Sequence, residues 1–219
     1  MASPLKRRNA MSFLINNFGQ VAQLFLQHLG LTLVVIVSSL IIGIPLGILL
    51  ARIKWLRGPV LSILGVIYTI PSLSFFVLLI PVFGLGTTPA IIALTAYAQL
   101  LLVRNWLVGL TTIEPAILEA ARGMGMNGWQ RFWQVEFPLA LPLLLAGVRL
   151  VALSSIGIGT IAAFINAGGL GVLLFQGVIT ANYEKILAGA ISVTVLSFSV
   201  NYLIRMMEQR AEFMIRGED

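Results

Sequence analysis

The chain has 219 residues, 58% of them hydrophobic and only 10% charged, with a formal net charge of +6, one His and no Cys. At a mean hydropathy of +0.99 it carries too little charge to cover the surface of a water-soluble domain, so composition places it in a membrane. The same numbers exclude disulfides, thiolate metal centres and a cysteine nucleophile. Basic residues at cytoplasmic helix ends account for the positive charge without nucleic acid.

In chain order, the basic start "KRRNAMSFLINNFGQ" lacks the unbroken apolar run of a cleavable signal peptide. Leu14, Phe18, Val21, Phe25 and Leu29 then form a helical stripe, with Asn16, Gln20, Gln23 and Gln27 opposite. Two readings stand: a helix lying in the membrane interface, or the wetter start of a long first spanning helix. A span needs about 20 apolar residues. Residues 29–51 supply the first, closed by Arg52, Lys54 and Arg57. Residues 58–103 are too long for one helix and divide at "FGLGTTP" (83–89), a turn signal. That predicts crossings near 59–81 and 89–110, with a kink in the first from Pro71 and Pro81. Apolar sequence resumes at Pro138 and reaches Tyr183, interrupted only by Arg149. It predicts a crossing near 139–161, a bent or partly inserted Gly-rich segment, and a last crossing at 186–204. The expected organisation is a basic and amphipathic segment (1–28), a membrane domain (29–205) and a cytoplasmic tail (206–219). Five crossings result, or six if 161–180 also spans.

Placing residues 111–137 in the cytoplasm puts Arg52, Lys54, Arg57, Arg104, Arg122, Arg131, Arg205, Arg210 and Arg216 there as well, as the positive-inside rule requires. Lys6, Arg7 and Arg8 conflict with that arrangement under five crossings, and a sixth would remove the conflict. The 111–138 stretch is the polar island of the chain. Pro115 suits the first turn of a helix, Ala120 and Ala121 allow close approach by a partner, and Gly123 and Gly125 end the helix. "NGWQRFWQVEFP" resumes with Trp129, Phe132 and Trp133 on one side, and Pro138 closes it. The pattern predicts a helix-turn-helix against the membrane, either built to dock a partner or packed as an ordinary amphipathic loop.

This island resembles the EAA signature of inner-membrane permease subunits of ABC importers. Glu119-Ala120-Ala121 is followed after three residues by Gly125, and after nine more by Val135-Glu136-Phe137-Pro138, where the signature has Ile-x-Leu-Pro. The resemblance implies an all-α integral membrane protein of the type I importer fold, multi-pass in the bacterial inner membrane. It implies a coupling helix, carrying Glu119, Ala120, Ala121, Arg122, Gly125 and Pro138, that sits in a groove of a cytoplasmic ATPase. Stretches 68–94, 102–110, "AGVRL" (146–150) and "NAGGLG" (166–171) are similar to permeases for osmoprotectants such as glycine betaine, carnitine and choline. Asn166 stands where that family more often has Gly. The chain ends about fifteen residues after the last predicted crossing, which implies a substrate-binding protein on a separate polypeptide. The implied partners are two ATPases, a second permease copy or paralogue, that external binding protein and membrane lipids, with no nucleic acid.

Several residues carry two readings. Arg149, inside a predicted crossing, is a functional candidate, against snorkelling or pairing within the bundle. Ser154, Ser155, Thr160 and Asn166, with their neighbouring glycines, suit close helix packing or the lining of a polar path. Tyr68, Thr69, Pro71 and Ser72 are a similar set with a possible hinge at the proline. Aromatic faces hold quaternary ammonium groups, but no dense aromatic cluster lies in the crossings, which suits selection by the external protein. His28 stands alone at a helix start without ligand-type neighbours, and Met124 and Met126 read as packing residues. No phosphate-binding lysine loop is present, so no cofactor is expected on this chain, and ATP and Mg belong to the partner. No catalytic constellation is present, so the chain is not expected to be an enzyme. Alternatives are a permease for another small solute, such as methionine, and a non-transporting membrane scaffold.

Overall fold

The computed structural model describes residues 10–216, and the regular elements among them are all helical. Lys6, Arg7 and Arg8, where the charge rule conflicts, lie outside the described residues. Helix α1 (Ala10–Asn16) precedes α2 (Phe18–Arg52), which continues through Pro45. The Gln-bearing stretch before residue 29 is thus mostly the wetter start of the first spanning helix. At 35 residues, α2 is about 52 Å long and exceeds the hydrocarbon core of about 30 Å.

A 3₁₀ turn leads to α3 (Arg57–Thr69), and α4 (Ser72–Phe83) follows. Between them Ile70 is extended, at ψ 129°, as expected for the residue before a proline. The expected kink is therefore a full break at Pro71, while Pro81 is accommodated inside α4. Next come α5 (Thr87–Thr111), α6 (Pro115–Gly123), α7 (Gly128–Arg131), a π-helical segment at Phe132–Glu136 and α8 (Phe137–Ala162). Last are α9 (Gly171–Ile179) and α10 (Tyr183–Arg216). Four long apolar helices qualify as spans, and α3 with α4 counts as a fifth where the broken pair is taken as one span. The expected five crossings are the upper end of that count. With nine residues, or about 14 Å, α9 cannot supply a sixth. Helix α10 continues to Arg216, past the predicted end of its crossing at 204.

The chain divides into two compact units. In the unit of residues 35–70, 95–154 and 199–216, glycines set the packing. A Cβ on Gly43 would lie 2.7 Å from Leu102 Cδ2, and one on Gly47 would strike the Trp106 indole. Helix α2 therefore lies against α5 with the fully buried Trp106 filling the space, its Nε1–H donating to Ile44 O at 3.2 Å. Gly109 meets Ala140 and Gly147 meets Asn105, bringing α5 equally close to α8. Leu50, Leu64, Val103 and Leu107 form a core shared by α2, α3 and α5. Arg57 closes α2 by donating from Nε to Leu50 O at 2.8 Å and from Nη2 to Ala51 O at 3.0 Å, satisfying carbonyls that the helix end leaves open.

In the unit of residues 10–34, 71–94 and 155–198, the end of α8 turns through the Gly-rich loop at 166–170 into α9. Gly171 presses directly on the Thr160 carbonyl, and Gly177 takes Ile186 of α10 against its backbone. Because the obstacle at Gly171 is backbone and cannot swing aside, Gly171→Ala is expected to lose about 1–3 kcal/mol, the range for overpacking. Gly157→Ala, with nothing within 4 Å of the added methyl, should be neutral. Thermal unfolding of the purified variants in detergent checks this: equal midpoints for the two would contradict the packing at Gly171.

Candidate functional site

The polar island folds as predicted in outline. Pro115 takes the first helical position of α6 after an extended Glu114, where its missing N–H costs nothing. The helix ends in paired hydrogen bonds, Met126 N–H to Ala121 O at 3.2 Å and Gly125 N–H to Arg122 O at 2.9 Å. This Schellman arrangement needs a left-handed residue between them, and Gly125 supplies it at φ +81°. Asn127 then caps α7: its Oδ1 accepts Gln130 N–H and its own N–H donates to Gln130 Oε1, both at 2.9 Å, a reciprocal capping box.

Pro138 has no N–H to offer Gln134, and the ladder before it shifts to π spacing, with Phe137 N–H bonded to Phe132 O. A π segment redirects side chains, and here it buries Glu136 beside two arginines. Glu136 Oε1 accepts Arg131 Nε–H at 2.8 Å and Oε2 accepts from Arg52 Nη2 at 3.2 Å. The carboxylate therefore ties the island to the last residue of α2. Edge-to-face and tilted aromatics add a second tie, from buried Trp106 through Phe137, Phe132 and Trp133 to Trp129, with centroids 5.2–6.2 Å apart. Ala121 is buried, whereas Ile117, Glu119, Ala120, Arg122 and Met124 are exposed. A short helix is thus held firmly by one face and offers an apolar and charged face outward.

The other predicted residues occupy separate places. Tyr68 and Thr69 end α3: Tyr68 is partly exposed, 5.9 Å edge-on from Tyr97, and Thr69 Oγ1 bonds back to Val66 O. Tyr97 Oη donates to Ile70 O at 2.6 Å, satisfying the carbonyl at the break. Pro71 caps the start of α4 and Ser72 is its first residue. Ser154 is half-buried and Ser155 buried in α8, where Thr160 Oγ1 returns to Gly157 O at 2.7 Å. Asn166 is exposed and left-handed, at φ +65°, a conformation that Gly takes without strain and Asn tolerates. Arg149 faces Glu208 of α10, Nε to Oε2 3.1 Å, an ion pair not aligned as a hydrogen bond. The sequence reading gave no role to Glu136, Glu208 or the contacts of His28. Among the described residues no cluster of His, Cys, Asp or Glu could hold a metal.

Residues 43–213 match the profile of a family described as binding-protein-dependent transport system inner membrane component. The chain is 38% identical over 205 residues to the osmoprotectant import permease protein OsmW of Salmonella typhimurium, covering 91% of this chain and 95% of that protein. It is 36% identical over 200 residues to the glycine betaine/carnitine/choline transport system permease protein OpuCB of Bacillus subtilis, covering 91% and 92%. Among solved structures, a chain of the inward-facing MetNI methionine ABC transporter superimposes with a TM-score of 0.78 at 23% identity, over 96% of this chain and 99% of that one. That likeness bears on fold alone.

Glu136→Gln removes the charge that two arginines share, and Arg131, with a side chain only 14% exposed, is left largely buried without its counter-ion. A loss of about 1–3 kcal/mol is expected. Arg52→Gln, acting on a side chain 49% exposed, should cost under about 1 kcal/mol. Thermal midpoints of the two variants and the double variant decide it: an unchanged midpoint in Glu136→Gln would remove Glu136 as the anchor.

Proposed function

Because the chain belongs to the binding-protein-dependent transport system inner membrane component family, as a permease subunit of an ABC importer, we propose that it carries quaternary-amine osmoprotectants of the glycine betaine, choline and carnitine type. The observation that carries the mechanism is the exposed α6, founded on Glu136 and the aromatic chain. A load on α6 passes through the capped turn and α7 into α8, because Gly128–Ile165 runs as one apolar helical stretch. Arg52 passes part of the same load to α2. Residues 119–122 and 125 are the seat of a cytoplasmic ATPase, and closure of two ATPases around ATP and Mg tilts the spanning helices. A second permease copy or paralogue completes the path, and an external binding protein delivers the solute.

Tyr68, Thr69, Pro71, Ser72, Ser154, Ser155, Thr160 and Asn166 are the proposed path residues. Their hydroxyl, amide and small groups can pass a polar solute without holding it tightly. The solute class is supported by relatives 34–39% identical to the chain that are named for osmoprotectants, choline or carnitine.

The complex, purified from its own membranes with its ATPase and reconstituted in vesicles with its binding protein, should take up labelled glycine betaine when ATP is supplied. Excess choline or carnitine should compete and methionine should not; uptake of methionine alone would overturn the solute class. Ala120→Trp, enlarging an exposed side chain, should lower ATP-dependent uptake at least tenfold without moving the thermal midpoint. Unchanged uptake in that variant would remove α6 from the coupling path.

A further inference from the structure

The one histidine of the chain sits against the Gly-rich loop, and its two ring nitrogens do opposite things. Leu170 N–H donates to Nδ1 at 3.2 Å, so Nδ1 carries no proton. The proton is therefore on Nε2, which donates to Ile156 O at 3.1 Å. Next to it, Gln27 Oε1 accepts Gly169 N–H at 3.3 Å. Two successive backbone amides of the loop are thus held by two successive side chains of α2.

The surrounding glycines leave room for this pair, and Gly168 and Gly169 also take left-handed backbone at φ +78° and +75°. A Cβ on Gly168 would lie 2.9 Å from Gln27 Oε1, one on Gly169 2.9 Å from His28 Nδ1, and one on Gly159 3.2 Å from His28 Nε2. His28 is 2% exposed, and Leu170 is fully buried. Thr32 Oγ1 bonds the His28 carbonyl at 2.9 Å, which fixes the backbone beneath the ring.

We propose that Gln27 and His28 form a proton-sensitive latch that docks the 166–170 loop on α2, and that acidification releases it. A second proton on the ring can go only to Nδ1, where it would face the Leu170 N–H, donor against donor. The docked loop therefore binds one proton fewer than the released loop, and falling pH favours release. The described groups bonded to the ring or set against it are Ile156 and Gly159 of α8 and Gly169 and Leu170 of the loop, while Thr32 of α2 bonds the backbone beneath it. None of them is charged or titratable, so no neighbouring carboxylate stabilises the charged ring. The response sets in as pH falls below about 6.5, where a freed imidazole takes up its proton, and reaches at most tenfold per pH unit for a single proton. The consequence for transport rests on the permease reading above; the latch itself does not.

The chain has no cysteine, so one introduced thiol reports the loop. Ala167, 6% exposed with its N–H bonded to Ala162 O, is replaced by Cys in the full chain within its membrane complex. Its labelling by a membrane-permeant maleimide is normalised to a Thr180→Cys control on the surface. Between pH 8 and 5 the normalised rate should rise at least fivefold with His28 present. His28→Asn keeps an acceptor for the loop without a titrating group, and its rate should stay low and flat. His28→Ala should label rapidly at both pH values. A flat rate with His28 present, or the same rise in His28→Asn, would overturn the latch. Absence of quaternary-amine uptake by the Ala167→Cys complex at pH 8, with labelling as expected, would instead count against the transport reading alone.

Discussion

Apolar helices in a bilayer gain no hydrophobic free energy by meeting, since lipid tails are as apolar as leucine; close backbone approach and hydrogen bonds must hold them. This constraint explains where the glycines stand. Gly43 and Gly47, one turn apart, open α2 to Leu102 and Trp106, and Gly109 and Gly147 do the same between α5 and α8. Gly171 and Gly177 bring α9 against its neighbours within the other unit. Where approach is close, a polar group follows: Trp106 bonds a helix carbonyl and His28 bonds the loop.

The same constraint gives the polar island its construction. Charged groups at the edge of a membrane have water on one side and an apolar bundle on the other, so a tie between them needs groups acceptable to both. Glu136 meets that need because its two arginines approach from different segments, one within the island and one ending α2. The aromatic chain provides the apolar half of the joint, from buried Trp106 to exposed Trp129. The π segment is what sets both halves on the correct side, and it follows from the missing N–H of Pro138.

Hydropathy and punctuation made most of the fold legible. Runs without charge locate the spans, Pro115 and Gly125 locate α6, and Pro71 locates the break. What stayed hidden depended on partners far away in sequence. Glu208 lies beyond the apolar run that ends near Ile204, so Arg149 had no visible counter-ion until α10 was found to continue. His28 had no ligand-type residue near it because its partners are backbone groups more than a hundred residues away. Backbone donors and acceptors leave no mark in residue identity. The one trace was indirect: the glycines at 159, 168 and 169 that the ring and Gln27 require.

That trace changes how small-residue stretches in a permease are read. Residues 154–171 look equally like helix packing and like a path lining when judged by composition. Geometry separates them residue by residue. Gly159 is small because the His28 ring occupies the space, Gly168 and Gly169 because their backbones are left-handed as well as faced by Gln27 and His28, and Gly171 because a carbonyl does. Gly157 has open space beside it, and Asn166 is exposed, its backbone left-handed. Smallness enforced by a neighbour is a packing requirement, so only residues whose side chains face unfilled space stay open to the proposed path role.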